Sequence, residues 1–125
     1  MWTDDWLGLP YAELGRGPAY DCLGLFLTLQ RVRLGRCLPD PGVTMLSAVR
    51  ERTAEALRPR FRRVAQAREG DALMFRVAGR LLHVGYALDN HDMLHIETDG
   101  IGSAIERWRA IRWASRLEGI YRYND

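Results

Sequence analysis

The 125-residue sequence contains no lysine; every basic side chain is arginine, and 16 acidic residues bring the formal charge to only +2. Such a balance does not indicate a nucleic-acid-binding protein. The densest basic cluster is Arg58, Arg60, Arg62 and Arg63 around Pro59 and Phe61. It could face an anionic polymer or an acidic partner, but arginines interrupted in this way read as a solvated face. Long apolar runs are missing as well. None approaches the roughly 18 residues of a membrane span, so no span is expected. The start, Met1-Trp2-Thr3-Asp4-Asp5, lacks the basic and apolar regions of a secretory signal, so export by that route is not expected. Cysteine is scarce, with Cys22 and Cys37 only and no CxxC pair. A helix running from Cys22 to about Leu34 would span on the order of 18 Å at 1.5 Å per residue, too far for a disulfide. Cys37, before Leu38-Pro39, is expected to be a small buried or half-buried side chain in a loop. There are no repeats or low-complexity tracts. With 47% apolar residues the chain can bury one core, which predicts a single domain over residues 1–125.

The segment around Cys22 is the most informative one present. Asp21 is a good N-cap, Cys22 falls in the first helical turn, and Leu25, Phe26, Leu29 and Val32 form an apolar stripe that runs to Gly35, a natural stop. A cysteine in the first turn feels the positive end of the helix dipole and unpaired backbone N–H groups, both of which favour its thiolate. Cys22 is therefore expected to be a reactive nucleophile.

Farther along, Leu82 to Leu88 and Asp92 to Glu97 read as two strands around the polar turn Asp89-Asn90-His91. If those three residues form the loop, Leu88 pairs with Asp92 and His83 lies opposite Glu97. His95 is then the diagonal neighbour of His83 on the same face, roughly 7–8 Å away along the backbone. A two-residue loop would place the two rings on opposite faces. In the three-residue register one face carries Val84, Tyr86, Leu88, Leu94 and Ile96, and the other carries His83, Gly85, Ala87 and His95. Gly85 and Ala87 leave space, and the Cys22 helix is expected to pack there, on the histidine face. His91 reads as a solvated turn residue.

The remaining segments are read more coarsely. Trp2 to Leu9 starts a short helix or packed arm, Pro39-Asp40-Pro41-Gly42 is a turn, and Thr44 to about Leu57 is an amphipathic helix ended by Pro59. Asp71 to Val77 is the strand before the histidine hairpin, turned at Ala78-Gly79-Arg80. Asp99 to Gly102 is a loop, Glu106 to Ala114 a helix with Trp108 and Trp113 partly buried, and Leu117 to Tyr123 a closing strand. Helices followed by an antiparallel meander predict an α+β fold.

In order and spacing, Asp21-Cys22-Leu23-Gly24-Leu25, Glu69-Gly70-Asp71-Ala72-Leu73-Met74-Phe75, His83-Val84-Gly85-Tyr86 and Met93-Leu94-His95 resemble the successive motifs of the NlpC-type cell-wall cysteine peptidases. The resemblance implies a papain-like α+β fold with N-terminal helices packed on an antiparallel sheet. It also implies cleavage of peptidoglycan stem peptides, commonly between D-glutamate and the diamino acid, with no cofactor. Carried over residue by residue, it makes Cys22 the nucleophile, His83 the general base and His95 the residue that orients the base. Tyr11, in Leu9-Pro10-Tyr11, becomes a contributor to the oxyanion and substrate site, and Asp21 a substrate-binding residue. Many cellular members carry serine at the position of Leu23, where it helps the aspartate hold the free amine of the stem peptide. Gly15-Arg16-Gly17-Pro18, the stretch from Gly35 to Leu38-Pro39, and Leu117-Glu118-Gly119-Ile120-Tyr121-Arg122-Tyr123 are similar to the subgroup found at the tail tips of phages and prophages. That narrower resemblance implies phage tail-tip proteins as partners and a location in the virion tail after synthesis in the host cytoplasm.

Each of these residues has a plainer reading. Cys22 could be a core thiol, His83 and His95 hydrogen-bonded core histidines, and Tyr11 a packed aromatic. Two other functions stay open. Cys22, His83 and His95 could supply three zinc ligands, although no fourth is evident. Alternatively, the chain could be a structural or adaptor component of a phage tail with little or no hydrolytic activity.

Overall fold

The computed structural model describes residues 1–44, 60–98 and 100–124. The helix expected from Thr44 to Leu57 lies almost wholly outside the described residues.

The first long element is helix α1, Cys22–Leu34, and its limits follow from its ends. The Asp21 carboxylate accepts the Gly24 N–H at 2.7 Å, an N-cap. At the other end Gly35 adopts φ 66°, which an L side chain rarely takes. The Gly35 N–H donates to the Arg31 carbonyl and the Arg36 N–H to the Gln30 carbonyl, so the last carbonyls are satisfied. Every residue from Leu23 to Gln30 is buried. The helix is thus enclosed over its first two turns, and Val32, the last residue of the expected stripe, is 53% exposed.

Six strands form one antiparallel sheet: β1 (Phe61–Val64), β2 (Ala72–Val77), β3 (Arg80–Ala87), β4 (Asp92–His95), β5 (Ala104–Arg107) and β6 (Leu117–Tyr123), in the order β1-β6-β2-β3-β4-β5. β3 and β4 pair with Tyr86 opposite Leu94 and Ala87 opposite Met93, the register of a three-residue loop. The turn is held by Asp89, whose carboxylate accepts the N–H groups of His91 and Asp92 at 2.8 and 2.7 Å. The strand before the hairpin and the closing strand fall close to where the sequence places them.

Helix α1 does not pack on the histidine face. Its Leu25, Phe26 and Leu29 are buried with Val84, Tyr86, Leu94 and Ile96, on the opposite side of the sheet. The physical reason is that the large apolar side chains of α1 leave water best against the sheet face that is itself apolar, that of Val84, Tyr86, Leu94 and Ile96. The histidine face is covered instead by Trp108 and Trp113, together with Leu73, Phe75, Met93 and Ile120. A Cβ on Gly85 would meet Met93 Sδ at 2.8 Å and Phe75 at 3.5 Å, so this glycine makes room for its neighbours on the sheet and not for the helix.

Two further elements differ from expectation. Glu106 lies in strand β5, and the helical residues after it are only the short α2, Ile111–Ala114. Trp108 and Trp113 are both fully buried, where partial burial was expected. β1 arises within the arginine cluster by pairing Phe61 with Tyr123 and Val64 with Ile120, and its Arg62 and Arg63 are exposed, in keeping with a solvated face. At the N-terminus a 3-10 helix, Trp2–Trp6, leads an arm across the sheet. Buried Ser103 pins that arm, donating to the Trp6 carbonyl and accepting the Leu9 N–H.

Candidate active site

Cys22 is the first residue of α1 and is partly exposed. The loop before it is built closely around the helix start. Tyr20 donates its N–H to the Pro10 carbonyl and accepts that of Ala12, which places Tyr11 beside Tyr20, two residues before the cysteine. Tyr11 is half-buried there. Gly24 has no Cβ because one would overlap the Gly15 carbonyl oxygen and crowd the Arg16 guanidinium.

Asp21 is 3% exposed and already engaged. Besides capping the helix, its Oδ1 accepts a hydrogen bond from Arg16 Nη1 at 2.8 Å, and Arg16 in turn pairs with Asp40 at 2.7 Å. Among the described residues, Asp21 Oδ2 is buried with no hydrogen-bond partner. The carboxylate expected to bind substrate is therefore turned into the protein, as cap and ion-pair partner. Leu23, 5% exposed, is part of the core beneath it.

The two histidines meet as the register requires. His83 Nε2 and His95 Nδ1 are hydrogen-bonded at 2.8 Å, with ring centroids 5.0 Å apart. Both residues are buried. By the β3–β4 register the residue facing His95 is Gly85, and on the other side His95 pairs with Ala104 of β5. With small residues directly opposite on both flanking strands, the His95 ring is free to reach diagonally in both directions. One diagonal reaches His83. The other reaches Glu106, whose Oε2 lies 2.5 Å from His95 Nε2. Glu106 carries on to Arg112 Nη1 at 2.9 Å, and Arg112 Nη2 bonds Glu97 at 2.8 and 3.0 Å. Trp113 roofs the group, stacked on His83 at 5.2 Å and 24° and edge-on to His95 at 5.0 Å.

Sequence reasoning missed Glu106 because it assigned residues 106–114 to one helix. The signal that could have found it is the pairing rule itself. Once Ala104 faces His95, Glu106 is diagonal to His95 on the same face, as His83 is on the other side.

The thiol and the imidazoles are neutral at rest. Burial, then the nearby charges of His95 and Arg112, push the His83 imidazole down to about 3. Burial also lowers His95, outweighing Glu106 and Glu97, which act in the other direction. For Glu106, burial alone would raise the carboxyl, but the bond to His95 and the Arg112 charge hold it below its ordinary value, so it is ionised. The thiol behaves contrary to the expectation from the helix dipole. Burial drives Cys22 up to about 11, with only partial relief from the backbone N–H groups of Val84 and Leu23. Desolvation of a thiolate costs more than one helical turn returns. Cys22 packs against the cluster that includes Val84, the residue after His83 on β3. Cys37, expected to be at least half-buried, is exposed.

Among the described residues, the trio with ligand atoms within 4.8 Å of one another is His95, Glu97 and Glu106, and not Cys22 with the two histidines. The Arg112 guanidinium already bonds both glutamates of that trio and supplies its positive charge. No helix among the described residues is long and apolar enough to cross a membrane.

Comparison with known proteins returns one consistent answer. The fold is similar to that of a lipoprotein-like protein of the NLP/P60 family from Staphylococcus aureus subsp. aureus Mu50, with a TM-score of 0.67 and 21% identity over 94% of this chain. This chain spans 37% of that structure's length. It is also similar to the NlpC/p60 domain of the peptidoglycan hydrolase SagA, with a TM-score of 0.64 and 24% identity, covering 94% of this chain and 90% of that one. Among curated proteins none matches. The helix on a six-stranded antiparallel sheet is thus a papain-like α+β fold. The sequence profile of the NlpC/P60 family matches residues 8–122, and the chain belongs to that family, one of cysteine peptidases and amidases acting on peptidoglycan.

Proposed function

We propose that this chain is a cysteine peptidase that hydrolyses peptidoglycan stem peptides, with residues 1–125 acting as one domain. The observation that carries the reading is the hydrogen-bonded His83–His95 pair on β3 and β4, with Cys22 packed against the cluster that includes Val84, the residue after His83. With the thiol and the imidazole both neutral at rest, the cysteine is not a standing thiolate. His83 takes the Sγ proton as the sulfur attacks the scissile carbonyl, which forms the C–S bond and leaves an oxyanion. Backbone N–H groups at the start of α1 are suited to stabilise that oxyanion. The resulting imidazolium returns its proton to the leaving amine as the C–N bond breaks. Water, activated by the same His83, then cleaves the thioester and restores the thiol. His95 orients the base throughout. Tyr11, held beside the helix start, is the proposed contributor to the substrate site. Asp21 is proposed to act on substrate through the helix turn it caps and the Arg16 it pairs.

The finer setting rests on sequence alone. The Gly15-Arg16-Gly17-Pro18 and Leu117-to-Tyr123 segments support placement at a phage or prophage tail tip, among other tail proteins, where such a peptidase would open the wall. Digestion of purified peptidoglycan and synthetic stem peptides, read by mass spectrometry, tests the chemistry. Wild type should release fragments cut at a peptide bond, and Cys22→Ala should release none. A folded wild type that leaves every stem peptide intact would favour instead a structural tail component with the same fold.

A further inference from the structure

We infer that Glu106 is a positioning residue that fixes the tautomers of both imidazoles, so that His83 keeps its free lone pair on Nδ1, the nitrogen its bond to His95 leaves open. Donors and acceptors along the observed chain of hydrogen bonds fix each proton in turn. An ionised carboxylate only accepts, so His95 must donate to Glu106 through an Nε2–H. A neutral imidazole carries one proton, and His95 Nδ1 is then an acceptor. Its partner at 2.8 Å, His83 Nε2, must be the donor. His83 is thereby left with an unprotonated Nδ1. Reversing any one of these assignments reverses them all.

Glu106 is itself held in place. Its second oxygen accepts from Arg112 Nη1 at 2.9 Å, and Arg112 is anchored on Glu97 at 2.8 Å. The Trp113 indole N–H adds to the stabilisation of the carboxylate, although it falls short of hydrogen-bond geometry. The groups facing the imidazole pair are thus the Glu106 carboxylate in direct contact, the Glu97 carboxylate and Arg112 guanidinium behind it, the Trp113 ring over both histidines, and the Phe75 ring against His83.

The isosteric Glu106→Gln makes the inference testable. Arg112 can only donate, so the amide oxygen turns toward Arg112 and the NH2 toward His95 Nε2. His95 then moves its proton to Nδ1, and His83 must carry its own on Nδ1, with its lone pair on Nε2 and turned toward His95. Nitrogen-15 NMR of ring-labelled protein reads these states directly. In wild type both histidines should show Nε2–H, and in Glu106→Gln both should show Nδ1–H. The catalytic consequence rests on the peptidase reading: kcat on a stem peptide should fall by about 10²-fold or more in Glu106→Gln with KM little changed, since a wrong tautomer removes the base and not the binding site. Nδ1–H on His95 in wild type would overturn the assignment without any variant having to fold. Tautomers unchanged in Glu106→Gln would also overturn it, and inverted tautomers with undiminished kcat would overturn the positioning role. Should wild type hydrolyse nothing, the peptidase reading fails, while the tautomer assignment is still decided by the spectra.

Discussion

Cys22 shows how far a residue's surroundings can reverse its local sequence signal. A helix N-terminus favours a thiolate by a fraction of a unit to a few units, yet enclosure by the core raises this thiol to about 11. Cys37 is exposed in a loop after the helix. Brief treatment with iodoacetamide at neutral pH should therefore label Cys37 well before Cys22, as read by mass spectrometry of the peptides. Preferential labelling of Cys22 would mean that a thiolate is present at rest and that the neutral-pair description is wrong. The expectation from sequence ran the other way, because burial is a tertiary quantity that one turn of helix does not reveal. The histidines are the opposite case. Their diagonal contact was legible because a strand alternates with period two and the Asp89-Asn90-His91 turn fixes the register, through the Asp89 carboxylate that accepts two turn N–H groups.

At the level of elements, α1 was legible in its ends and not in its docking. Asp21 and Gly35 are local signals, and both cap the helix as expected. Which sheet face the helix covers depends on what else covers the other, and Trp108 and Trp113 arrive from a segment whose strand was not recognisable as one. Strand β1 was hidden for a similar reason, since its four residues acquire strand character only from β6, about sixty residues later. The contact that ties α1 to the loop ahead of it is the close approach of Gly24 to the Gly15 carbonyl. Gly24→Ala should push that loop away, take the Arg16–Asp21 pair with it, and cost roughly 1–3 kcal/mol by overpacking, measured by urea unfolding. Hydrolysis should fall with it, because the same loop holds Tyr11 beside the helix start. Unchanged stability in Gly24→Ala would show that the loop is not held against the helix in this way.

For the whole molecule, the buried imidazole makes stability depend on pH in a defined direction. The His83 imidazole titrates near 6.5 in an unfolded chain and is held at about 3 when folded. Between those values the unfolded chain binds more protons, so stability rises with pH across the window, is complete above 6.5, and is lost as the pH falls toward 3. One such group contributes a slope of up to about 1.4 kcal/mol per pH unit. Urea unfolding at pH 7, 5 and 4 should show that loss, and His83→Gln should reduce it, leaving the smaller share of His95. An equal slope in that variant would mean that His83 is not held neutral by the fold. The α+β class was legible from the order of helices and strands, and its papain-like form from the resemblance of the motifs around Cys22, His83 and His95. The contact between His83 and His95 was legible, while that of Glu106 was not, because it forms across a second strand pairing. The central claim is that Cys22 and His83 act as one nucleophilic unit on stem peptides, and kcat/KM in a mutant cycle tests it most directly. Cys22→Ala and His83→Ala should each lower kcat/KM by about 10³-fold or more, and the double substitution should lower it no further, as expected of groups that act together. Turnover near the wild-type value in either single variant, or losses that multiply in the double, would contradict the account.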